Sequence, residues 1–181
     1  LLCGDTITKY LDENDHSTRS VFGDGGSSCI ISSSNNPSKM FFDIQTVDDN
    51  YECLIMNKKN HGDSIVKSKS LSMDGFEVLK FVIKYVPKSI FLNLKNIKKT
   101  INTVETVIFH QANKFIVESL NKKLKINDDK SPIVVDGFGN TGSCSIPLVL
   151  TESKGIMKNC FLIQIHHQKK LFCILLGSNP G

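Results

Sequence analysis

The sequence predicts an α/β fold, a mixed sheet covered by helices, on three observations. Apolar runs of strand length alternate with segments of helical periodicity. The two strongest helical patterns, around Val78–Val86 and Ala112–Leu124, are separated by the short apolar run Val104–Phe109. Two polar motifs, His110-Gln111-Ala112-Asn113 and Gly137-Phe138-Gly139-Asn140-Thr141-Gly142, each stand where a strand pattern gives way to a helix pattern. Ligands in sheets of this class sit at such carboxyl ends of strands.

In chain order, Leu1–Leu11 carries no clear pattern, and Phe22-Gly23-Asp24-Gly25-Gly26 reads as a turn with close backbone approach before the small-residue run Ser27–Ser32. Ser32–Lys39 is a loop by composition. Met40–Val47 and Tyr51–Met56 read as two strands around Asp48-Asp49-Asn50, and the polar, lysine-rich Asn57–Ser72 as the least ordered stretch. A helix opens at Met73-Asp74-Gly75, with Val78, Leu79, Val82, Ile83 and Val86 on one face. Pro87 should bend or break it, leaving a second piece from Lys88 to about Lys99. Val104–Phe109 is a buried strand, Ala112–Leu124 a helix with Ala112, Ile116, Leu120 and Leu124 stacked, Pro132–Asp136 a strand and Ser143–Glu152 a helix. Phe161–Ile165 and Leu171–Leu176 read as paired strands around His166-His167-Gln168-Lys169-Lys170.

Composition bounds the function. With 181 residues, 40% of them hydrophobic, the chain can bury a core, and its net charge of +4 is too mild to demand a nucleic acid. The six cysteines (Cys3, Cys29, Cys53, Cys144, Cys160 and Cys173) form no C-x-x-C pair and no zinc spacing. No metal site is expected, and a reduced, cytoplasmic protein is. No apolar run approaches the ~20 residues of a membrane span. The start, Leu1-Leu2-Cys3-Gly4, has neither signal-peptide architecture nor an initiator Met, so the chain reads as a fragment or processed piece.

A histidine and an asparagine at two strand ends can converge on one carbonyl oxygen and polarise a thioester. A lone His110 would read as a helix cap or a satisfied core residue. The neighbouring Gln111 and Asn113 argue for a cleft instead, since a buried strand end has no need of three polar groups. Asn140 reads equally as a turn residue tolerating positive φ and as an oxyanion donor, through its amide or through the loop's backbone N–H groups. The same loop spells G-x-G-x-x-G, but the acidic residue that a dinucleotide site needs at the end of the next strand is missing: that strand ends Gln164-Ile165-His166. Cys144, at a helix start where thiol pKa values fall, is the best-placed nucleophile. Flanking Ser143 and Ser145 favour simple packing. The Lys80, Lys84, Lys88 stripe reads as a solvated face in preference to a dock, and His166-His167 as turn residues in preference to metal ligands.

Four motifs in one order carry a resemblance. Phe22-Gly23-Asp24-Gly25-Gly26; Met73-Asp74-Gly75-Phe76-Glu77-Val78 with Phe81 and Val86-Pro87; His110-Gln111-Ala112-Asn113; and Gly139-Asn140-Thr141 with Ser145-Ile146-Pro147-Leu148 together resemble the beta-ketoacyl-acyl-carrier-protein synthase III family, over roughly Gly4–Glu152. The resemblance implies a thiolase-like fold of two similar halves, with residues 1–34 ending the first half and 35–181 forming most of the second. It implies a decarboxylative Claisen condensation of an acyl-CoA primer with malonyl on acyl carrier protein, coenzyme A and phosphopantetheine thioesters being substrates and no cofactor being required. His110 and Asn140 would stabilise the enolate oxygen, Asn113 and the loop around Gly75 would line the pantetheine channel, and Lys114 would neighbour the carrier-docking position, which here is Phe115. The family's nucleophilic cysteine precedes everything in this chain, so the isolated chain is expected to be inactive without a cysteine-bearing first half. The family's glycine-rich last turn reads His166–Lys170 here, either an altered hairpin or unrelated sequence. The expected partner chain is that cysteine-bearing half or a homodimer partner, and the alternatives are an inactive half-synthase that serves as a partner subunit or carrier-protein binding module, or a truncated product without a role.

Overall fold

The computed structural model describes residues 1–32, 35, 39–47, 51–59, 68–153, 160–167 and 170–177. Its strands are β1 (Leu2–Asp5), β2 (Gly25–Ser28), β3 (Lys39–Thr46), β4 (Leu54–Lys59), β5 (Ser68–Met73), β6 (Thr106–Phe109), β7 (Cys160–His167) and β8 (Lys170–Gly177). Its α-helices are α1 (His16–Arg19), α2 (Gly75–Asn96), α3 (Lys114–Leu124), α4 (Val135–Phe138) and α5 (Ser145–Glu152). The main sheet has the order β3-β8-β7-β6. Its first two pairings are antiparallel, and β6 runs parallel to β7 from Thr106↔Phe161 to Phe109↔Gln164. The mixed sheet is as expected, and β7 and β8 pair as the sequence predicts.

Alternation along β6 builds the two covered faces. Val107 and Phe109 pack with Val86, Ile90 and Leu94 of α2 and Leu120 of α3, while Ile108 packs with Ile146 and Val149 of α5. All four β6 residues are buried, as expected of a strand with helices on both sides.

Three expectations fail for physical reasons. Pro87 does not interrupt α2, which runs from Gly75 to Asn96 with Pro87 buried inside it. A proline in a helix costs ~3 kcal/mol. Val82, Val86, Ile90 and Leu94, each at most 1% exposed, carry the apolar face past it, and each such burial contributes ~1.5–3 kcal/mol. Pro132–Asp136 is not a strand. Val134 donates its N–H to the Gln111 side chain at 3.0 Å, and the chain then turns into α4. The strand expected over Tyr51–Met56 begins only at Leu54. Tyr51–Cys53 is a 3-10 turn, and β4 pairs with β5 from Leu54↔Met73 to Lys59↔Ser68. That hairpin claims both ends of the lysine-rich stretch; residues 60–67, Asp48–Asn50 and most of the Ser32–Lys39 loop lie outside the described residues.

Candidate active site

The end of β6 delivers three polar side chains to three different tasks. His110 N–H donates to the Gln164 carbonyl at 2.8 Å, closing the ladder with β7. Gln111, 1% exposed, donates to the Phe109 carbonyl at 2.9 Å and accepts from Val134 N–H at 3.0 Å. It clamps the strand end to the chain before α4. Asn113 is the N-cap of α3, its Oδ1 accepting from Ile116 N–H at 2.8 Å. The cap expected as one reading of His110 is therefore Asn113, and His110 is left to another role. Its Nδ1 lies 2.6 Å from Ser145 Oγ.

The glycine loop reaches the same place through the backbone. Asn140 N–H donates to the Val21 carbonyl at 2.9 Å, and Gly23 N–H to the Asn140 carbonyl at 3.0 Å. This bridge to Phe22 explains why the Phe22–Gly26 motif needs glycine: a Cβ on Gly23 would sit 2.1 Å from the Phe138 carbonyl oxygen. Gly139 and Gly142 adopt φ of +69° and +57°, the left-handed region that glycine enters freely. The loop's amides are turned inward. Gly139 N–H donates to Val135, Gly142 N–H to Asn140 Oδ1 and Ser143 N–H to Asp5 Oδ2. These three donors are therefore already used within the protein. The side chain of Asn140 remains. With Oδ1 held by Gly142 at 3.1 Å, its amide NH2 is the end left to meet a ligand.

One cavity of about 270 Å³ gathers His110, Asn140, Asn113 and Gly75. His110 and Asn140 are each 8% exposed and contribute to the polar part of the cavity wall. Much of the remaining wall is apolar, with Leu54 and Met56 of β4, Leu71 and Met73 of β5, and Val78 and Val82 of α2. Side-chain N–H donors lining such a cavity can stabilise a developing oxyanion.

Lys114 lies outside this cavity, its Nζ 2.8 Å from Asp136 at the surface. The hydrogen bond that Lys114 donates to the Asp136 carboxylate, then the charge of that carboxylate, raises the lysine pKa. Cys144 is fully buried and packs against Gly25, where an added Cβ would lie 3.2 Å from its own; it does not line the cavity, which favours the packing reading. Burial, then the charge of Asp43, pushes the Cys173 thiol up to about 12. The lysine stripe is occupied: Lys80 pairs with Glu77 at 2.5 Å, and Lys84 and Lys88 stand over the Tyr85 ring. Among the described residues no three His, Cys, Asp or Glu side chains are grouped to hold a metal, and no helix is long and apolar enough to cross a membrane. The side chains of His166 and His167 lie outside the described residues.

Sequence reasoning missed Asp5, Ser145 and the hairpin wall. Leu71-Ser72-Met73 does alternate as a strand should, a signal hidden by the lysines before it. Nothing near Asp5 announces its reach to Ser143.

Residues 94–156 match the family described as 3-oxoacyl-(acyl-carrier-protein) synthase III C terminal, and residues 1–50 match that of 3-oxoacyl-(acyl-carrier-protein) synthase III. The chain belongs to the 3-oxoacyl-(acyl-carrier-protein) synthase III family. The beta-ketoacyl-(acyl-carrier-protein) synthase III of Clostridium tetani is 32% identical over 169 residues, which are 85% of this chain and 51% of that protein. That of Lactobacillus helveticus is 31% identical, over 84% of this chain and 49% of its own. The chain thus spans about half the length of the curated relatives it matches. In structure it is similar to the synthase III of Aquifex aeolicus VF5 (TM-score 0.83, 25% identity, 97% of this chain and 56% of that one). The enzyme of Thermus thermophilus shares the fold (TM-score 0.83, 22% identity, 99% and 59%). The fold is thiolase-like.

Proposed function

We propose that this chain supplies the enolate-stabilising part of a synthase III condensing site. The observation that carries the reading is that His110 and Asn140, brought by two separate strand-end motifs, line the same cavity. The substrate is malonyl held as a thioester on the phosphopantetheine of acyl carrier protein, and acyl-CoA supplies the primer; no resident cofactor takes part. The bond between the malonyl carboxylate carbon and the α-carbon breaks, CO2 leaves, and the electron pair moves into the thioester as an enolate. An imidazole N–H of His110 and the amide N–H of Asn140 donate to its oxygen. The carbanion then attacks an acyl group carried on a cysteine thioester, expelling that thiolate. Asn113 and Gly75 line the way in for the pantetheine arm, and exposed Lys114 meets the acidic carrier. Such thioester chemistry suits the cytoplasm and its reduced thiols.

Among the described side chains, Cys3, Cys29, Cys53, Cys144 and Cys173 do not line the cavity. We assign the acyl-bearing cysteine to a cysteine-bearing first half, with residues 1–34 and 35–181 belonging to different halves. The test is CO2 release from malonyl-acyl carrier protein, by the chain with that half added. His110→Ala and Asn140→Ala should each slow it by about 10²–10³-fold, and mass spectrometry of the chain alone with acetyl-CoA should show no acylated cysteine. Unchanged decarboxylation in both variants would sink the assignment.

One observation favours a second reading, a partner subunit without turnover of its own. Met40, Phe42 and Ile44 of edge strand β3 are 56%, 63% and 66% exposed, an apolar stripe of the kind that marks an interface. A stable complex with a cysteine-bearing chain that lacks condensation activity would support it.

A further inference from the structure

We propose that Ser145 is a positioning residue that fixes His110 as the Nε2–H tautomer, so that the ring presents a donor to the cavity. The inference rests on the reading of His110 as an enolate-stabilising donor. Ser145 opens α5, is 1% exposed, and lies with its Oγ 2.6 Å from His110 Nδ1. That ring nitrogen is the partner the structure gives the Ser145 hydroxyl. A short bond of this kind has two possible senses. Were Nδ1–H to donate to Ser145, the hydroxyl proton would be left buried without an acceptor, at a cost that protein interiors seldom tolerate. If Ser145 donates, its proton is satisfied, Nδ1 is the acceptor, and the neutral ring must carry its hydrogen on Nε2. The tautomer that an oxyanion needs is thus chosen from behind the ring by a helix that follows the Asn140 loop. α5 also packs on Ile108 of β6, two residues before His110. The same helix therefore orders the ring and the strand that carries it.

The readout is the ring itself. The protein has five histidines, and in a sample labelled with 15N-histidine the His110 signals are those lost in His110→Ala. Wild type should show a single Nε2–H tautomer. In Ser145→Ala the two nitrogens should move toward a mixture, and Ser145→Thr, which keeps the hydroxyl, should restore the single form. Ser145→Cys, close in size but a weaker donor, takes the place of the alanine variant should that one not fold. With the cysteine-bearing half added, Ser145→Ala should lower kcat for malonyl decarboxylation by about tenfold with KM little changed, the mark of an interaction used in the transition state. A Ser145→Ala protein that keeps the single tautomer overturns the proposal. So does one that loses it with full decarboxylation while His110→Ala is inactive. Full decarboxylation in His110→Ala would instead fault the role given to His110, and the tautomer would then judge Ser145 alone.

Discussion

The two walls of the cavity are built by opposite means. The polar wall, His110 and Asn140, is fixed by hydrogen bonds between segments far apart in sequence: His110 to Gln164, Asn140 to Val21 and Gly23, and His110 to Ser145. The apolar wall from β4 and β5 is one local hairpin, held by its own ladder and by packing of half-buried side chains. Directional bonds place atoms to within tenths of an ångström, which oxyanion chemistry requires. Packing tolerates change in shape, which suits a wall that receives an apolar group. Damage to the first wall should therefore be severe and specific, and damage to the second mild and graded.

The largest effect should come from Gly23→Ala. Its Cβ would meet backbone, the Phe138 carbonyl 2.1 Å away, so the Phe22–Asn140 bridge must open. A loss of ~3–5 kcal/mol, beyond the usual range for point mutants, should show in chemical denaturation. An unchanged midpoint would mean that the bridge is not what holds Asn140. Next is Gln111→Ala, which strands the Val134 N–H and the Phe109 carbonyl. About 2–3 kcal/mol should be lost, with decarboxylation falling more steeply than substrate affinity, since the β6 end would drift. On the apolar wall, Met56 is 41% exposed. Met56→Ala should cost only ~1 kcal/mol, well below the 2–5 of a buried methionine, and should change KM more than kcat. A reversed pattern, with kcat struck by Met56→Ala and spared by Gln111→Ala, would break the contrast between the walls.

The smallest effect is one of pH. Asp15 caps α1, which rests against β5. Hydrogen bonds from the Ser17 and Thr18 hydroxyls, then from Thr18 N–H, lower its carboxyl to about 2. A folded pKa below the ordinary 3.8 means that its contribution is present above about pH 4 and is lost as the pH falls toward 2. Asp15→Asn should remove that part of the acid dependence, measured as the melting temperature from pH 5 down to 2, and leave neutral stability slightly reduced.

Legibility in the sequence followed the same division. Strong periodicity located α2, α3 and the buried β6, because burial along one face repeats at a fixed interval. The motifs located His110 and Asn140, because glycines at positive φ and polar residues at strand ends have few other uses. Gln111 and Asn113 could be seen to be polar, but not what each would bond: the clamp on Val134 and the cap on Ile116 depend on partners that the fold supplies. The 132–136 segment misled for the same reason. Its apolar residues suit a strand, and a side chain from another element took the hydrogen bond a ladder would have used. Pro87 misled because local propensity was weighed without the four buried side chains that oppose it.

By itself, then, the sequence determined the α/β class and the family and singled out His110 and Asn140 for the cavity, since these rest on local pattern and residue type. The tertiary structure decided which donors point outward. It engaged the Gly139, Gly142 and Ser143 amides within the protein, set the Asn140 side chain at the cavity, buried Cys144 away from it and set Ser145 against His110. Orientation of this kind comes from long-range hydrogen bonds and packing, which no spacing within one segment encodes.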